Sequence, residues 1–60
     1  MTLYVLKGDW GEYLQLVRQD AGSLIFSYTK NFHDALQMDK ATADYYCEMK
    51  GFFTKIKLAG

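Results

Sequence analysis

Sixty residues carry seven basic against seven acidic side chains, and this zero net charge excludes the broad electrostatic attraction behind non-specific nucleic-acid binding. A chain this short makes a single domain, residues 1–60, and buries only about 60% of the surface its unfolded form exposes, so its stability margin is thin. One Cys forms no internal disulfide, and one Cys with one His closes no zinc site, so the supplement left to so small a core is another chain.

Residues 2–7, TLYVLK, are apolar and β-favouring and predict a first strand. Gly8, Asp9, Trp10 and Gly11 predict a turn, with two glycines flanking an Asp that can bond the local backbone. Residues 12–18, EYLQLVR, predict a second strand. Strict alternation sets Leu14 and Leu16 on one face and Tyr13, Gln15 and Val17 on the other. Residues 19–22 predict a second turn in which Gly22 takes positive φ. Residues 23–29 predict a third strand, Leu24, Phe26 and Tyr28 alternating with Ser23, Ile25 and Ser27. Three strands joined by two short turns make an antiparallel meander.

Residues 30–38, KNFHDALQM, have no sustained period. Asn31 can cap a helix carrying Phe32, Ala35 and Leu36, but the stripe breaks at Asp39 and Lys40. The expectation is a loop or single turn, then a short extended piece over residues 35–38. Residues 39–51, DKATADYYCEMKG, predict a helix, with Asp39 as N-cap and Gly51 as a left-handed C-cap. Thr42, Ala43, Tyr46, Met49 and Lys50 fall on one side of it with Cys47 next to them, and Lys40, Asp44 and Glu48 recur on a solvated face. Residues 52–58 predict a last strand in which Phe52, Thr54, Ile56 and Leu58 face the helix and Phe53, Lys55 and Lys57 face away. That strand can pair with the first.

The fold class is therefore α+β: a small antiparallel β-sheet (β-β-β-α-β) with one helix packed on one face, the other face left open. Half the residues are apolar and 17% are aromatic, more rings than one thin core can hide. The expected outlet is an apolar-aromatic patch of Tyr13, Val17, Ile25 and Phe53 on the open face, where Lys55 and Lys57 also lie. Trp10, in a turn between two glycines, is either a solvent-facing hot spot or a lid folded back over the sheet edge.

The order of elements, with Tyr4–Lys7, Thr29–Asn31, Ala35, Leu36, Asp39, Thr42, Ala43, Tyr46, Gly51 and the closing Thr54–Lys57 in place, resembles many small bacteriophage-encoded α+β proteins. Where such proteins have a role, it is to bind and modulate a host protein, defence systems included. The resemblance implies a phage-type modulator or inhibitor of a host protein and assigns no functional residue.

Catalytic chemistry needs a nucleophile with a base, paired carboxylates in a cleft, or metal-ligand spacing. His33 and Asp34 are adjacent and point apart in an extended stretch, and Cys47 lies toward the helix C-terminus, where the dipole disfavours a thiolate. No catalytic, cofactor-binding or metal residue is therefore assigned. The short apolar start lacks a basic n-region, no membrane span is present, and a free Cys suits a reducing cytoplasm. The expected function is a small non-enzymatic protein-binding module, acting through Trp10, Tyr13, Val17, Ile25, Phe53, Lys55 and Lys57 on a host protein target or on a second copy in a homodimer. Two alternatives stand: a single-stranded nucleic-acid binder using the lysine-aromatic strand, and an oligomer whose only task is assembly.

Overall fold

The computed structural model describes residues 2–58. The elements run β1 (Tyr4–Gly8), β2 (Tyr13–Asp20), β3 (Ser23–Thr29), a 3-10 turn (Phe32–Asp34), α1 (Lys40–Met49) and β4 (Phe53–Lys57). They form one four-stranded antiparallel sheet of order β3-β2-β1-β4, with the helix packed on one face. The last strand does pair with the first. It does so antiparallel, Tyr4 opposite Lys57 and Gly8 opposite Phe53, so the handedness rule for parallel crossovers is not engaged.

Local chemistry sets the turns. Between β1 and β2, Gly8 accepts from the Gly11 amide at 3.0 Å and donates to the Glu12 carbonyl at 2.8 Å, with Gly11 at φ +97°. That is a three-residue hairpin loop closed by a glycine bulge. Between β2 and β3, Ala21 and Gly22 both take positive φ, +50° and +80°, the type I′ geometry whose twist matches that of the flanking strands.

β1 and β2 meet directly only near the loop, at Lys7 opposite Tyr13. Farther along, residues 35–38 run extended between them. The Leu36 amide donates to the Leu14 carbonyl at 2.8 Å, and Met38 exchanges bonds with Tyr4 at 2.7 and 2.9 Å. The wedge satisfies backbone groups that the diverging strands would leave bare. It also delivers Met38, 6% exposed, to the core one residue before the helix cap. The stretch is thus a single Asn31-capped turn followed by an extended piece, as its broken periodicity implies.

Asp39 caps α1, its Oδ1 accepting from the Thr42 amide at 2.9 Å. Gly51 is not the left-handed cap expected. Lys50 ends the helix in an extended conformation, its amide still bonded to the Tyr46 carbonyl, and the chain turns directly into β4. The core under the helix is Leu6, Leu14, Met38, Ala43 and Phe53. Full burial of each leucine stabilises the fold by about 1.5–3 kcal/mol.

Two facing assignments are overturned. β2 does not alternate strictly: Leu14 pairs with Tyr28 and Leu16 with Ser27, so Gln15 is the extra residue of a bulge. The bulge reverses the alternation beyond it. Val17, opposite Phe26, packs against the core, while Leu16 turns outward. In β4 the register with β1 puts Phe53 and Lys55 on the helix side, opposite Gly8 and Leu6, and sends Thr54 and Ile56 to the other face. Phe53 is buried and Lys55 does not face away. Its ammonium pairs with Asp44 of the helix and stands 5.5 Å from the Tyr4 ring centroid, so the stem lies along the layer while the charge keeps a partner.

Candidate functional site

Most of the aromatic surplus is absorbed on the helix side. Phe53 is 6.2 Å from both Phe26 and Tyr28 and 4.8 Å from Phe52, centroid to centroid. Phe26 reaches Tyr46 at 5.6 Å, and Trp10 reaches Tyr28 at 4.8 Å and Phe52 at 5.0 Å, mostly edge-on. Trp10 is thus a lid that keeps one edge in water: it covers Gly8, donates its Nε1–H to Glu12 Oε1 at 2.8 Å, and is 44% exposed.

The expected patch therefore divides. Val17 and Phe53 belong to the core, Lys55 to an ion pair and Trp10 to the helix-side ring cluster, while Lys57 lies exposed on the helix side, opposite Tyr4. Only Tyr13 and Ile25 remain on the open face. They are joined there by Leu16, 47% exposed, which the bulge at Gln15 turns outward next to the Arg18–Ile25 pair. Phe32, 41% exposed on the 3-10 turn, stands edge-on to Tyr13 at 5.3 Å, and the Lys7 ammonium lies 5.9 Å from the same ring. Strict alternation hid Leu16. A bulge beside Gln15 has no marker in residue type, so no local signal identifies it.

Around β1 this face is closed rather than open. Val5 is 1% exposed and pairs with the half-buried Ile56. Toward the β2–β3 turn the surface opens: residues 18–24 are all exposed, Leu24 included. This hairpin arm accounts for the elongated shape, 36 × 23 × 19 Å.

Two of the helix carboxylates are occupied structurally. Asp44 accepts from Lys40 at 2.9 Å and from Lys55, and these two ammoniums hold its carboxyl below the usual range. The hydrogen bond to Thr42 lowers Asp39 likewise. Burial pushes the Cys47 thiol up, away from the thiolate form. His33 is exposed on the 3-10 turn. Among the described residues there is no pocket, no group of three or more His, Cys, Asp or Glu side chains placed to hold a metal ion, and no helix long and apolar enough to cross a membrane. Compared with protein-family models, curated proteins and solved structures, the chain matches none.

Proposed function

We propose that the chain is a small protein-binding module acting without catalysis, a phage-type modulator or inhibitor of a host protein in the host cytoplasm, which it contacts through the open face of its sheet. The observation that carries this reading is Leu16, held 47% exposed by the bulge on a face that also presents Ile25, Tyr13 and Phe32. Apolar side chains grouped on a sheet, with Lys7 opposite Tyr13 and Arg18 opposite Ile25, have the mixed apolar, aromatic and cationic composition of a contact surface. The phage character rests on the resemblance carried by residues 4–7, 29–51 and 54–57. Capture from bacterial lysate tests it, using wild type, a Leu16→Glu, Ile25→Glu double variant, and a Trp10→Ala control. The double variant should lose a protein that wild type and control both retain; equal recovery by all three ends the reading.

A second reading, single-stranded nucleic-acid binding, is favoured by one contact, Lys7 over the Tyr13 ring with Arg18 on the same face. Such binding weakens steeply with added salt, whereas an apolar protein contact changes little.

A further inference from the structure

The two edges of the sheet differ in kind. β4 is five residues long and carries Lys55 and Lys57, the usual guard against pairing with another strand. β3 is seven residues, SLIFSYT, with no charge and no proline, and among the described residues its outer side has no partner strand.

Hairpin geometry says which groups are bare. A two-residue turn puts Asp20 and Ser23 in a hydrogen-bonded pair, and bonded and non-bonded pairs alternate from there. The amides and carbonyls of Ser23, Ile25 and Ser27 thus bond inward to β2. Those of Leu24, Phe26 and Tyr28 point out of the sheet, since the bulge lies on β2 and leaves the alternation of β3 intact.

We propose that this edge is the interface of a two-fold dimer, β3 of one copy pairing antiparallel with β3 of the next and centred on Phe26. In that register Phe26 meets Phe26, Leu24 meets Tyr28, Ile25 meets Ser27 and Ser23 meets Thr29. All three outward residues of each copy meet outward residues of the other, and every bare donor faces a bare acceptor. Leu24, 40% exposed in the single chain, gains the Tyr28 ring as its cross-strand neighbour. No charged residue of β3 opposes another, because β3 has none. The contact is isologous and closes on itself, leaving only lysine-bearing β4 edges at the ends of an eight-stranded sheet. Confined to one strand edge, it belongs to the small, reversible class of interfaces. Lys50, whose ammonium lies 5.3 Å from the Phe26 ring, would approach its own copy near the axis, so added salt strengthens the pairing.

The inference does not rest on the open-face reading, and the experiment separates the two. Sedimentation equilibrium compares wild type, Leu24→Pro and Leu16→Glu, with amide exchange of wild type followed across the same concentrations. Proline at 24 removes an outward donor and leaves the ladder to β2 intact. Expected are a reversible wild-type dimer, a dissociation constant raised at least ten-fold by Leu24→Pro, and no change with Leu16→Glu. Exchange at Leu24, Phe26 and Tyr28 slows as concentration rises. A wild type that stays monomeric at millimolar concentration overturns the dimer. Loss of association through Leu16→Glu alone transfers the contact to the open face. Should Leu24→Pro fail to fold, exchange at the three amides decides: protection independent of concentration overturns the proposal.

Discussion

The indole of Trp10 occupies the space that a β-carbon on Gly8 would need, its Cη2 and Cζ3 only 2.5 Å from that position. Glycine at this point of β1, opposite the buried Phe53, is what lets the loop fold its tryptophan down onto Tyr28 and Phe52. Gly8→Ala should swing the indole outward and loosen two ring contacts, each worth about 0.5–1.5 kcal/mol. The expected outcome is a red-shifted Trp fluorescence with a stability loss of about 1–2 kcal/mol. In a Trp10→Ala background the same change should cost far less; equal costs in both backgrounds would show that the glycine serves the strand and not the ring.

Phe53 and Leu16 exchange the roles that their sequence pattern implies, and stability separates them. Phe53→Ala opens the core beneath the helix and should cost about 3–5 kcal/mol, enough to leave a domain this small largely unfolded at 37 °C. Leu16→Ala, on the open face, should stay within about 0.5 kcal/mol of wild type. Urea titration of both variants checks the assignment. A Leu16 cost approaching that of Phe53 would mean the open face is covered.

Ala21 holds φ +50° in a turn whose geometry favours Asn or Gly, and an L-residue with a β-carbon is strained there. Ala21→Asn should stabilise the protein by about 0.5–1 kcal/mol, read as a rise in melting temperature. Since the turn caps the exposed arm beyond the core, binding by the open face should be unchanged. A fall in melting temperature would argue against the type I′ conformation.

Acid sensitivity follows from two carboxylates. Asp39 is held below its ordinary value by the Thr42 hydrogen bond, and Asp44 by Lys55 and Lys40. A folded-state pKa below the unfolded one gives stability that is complete above the unfolded value, about 3.9, and lost as pH falls through the folded value. The melting temperature should therefore be flat between pH 7 and about pH 5 and decline below about pH 4. Asp39→Asn preserves an acceptor for the Thr42 amide but has no proton to gain, so its acid decline should be shallower. An unchanged acid limb would remove Asp39 from the linkage.

Local chemistry determined much of this protein without help from the fold. Glycine placement set two turns, Asp39 set the helix start, the broken stripe after Asn31 set an extended wedge, and strand-helix order set the α+β class. Only the tertiary structure decided which side of two strands is inside. A period of two separates a strand's residues into two sets but does not say which set meets the core. In β2 that sign was reversed by one unpaired residue, Gln15, which moved Val17 in and Leu16 out. In β4 it was decided by pairing Phe53 against Gly8 and by Asp44, a residue eleven positions away that gives Lys55 a partner on the helix side. Both decisions depend on contacts between distant residues, so they lie beyond the reach of any local pattern.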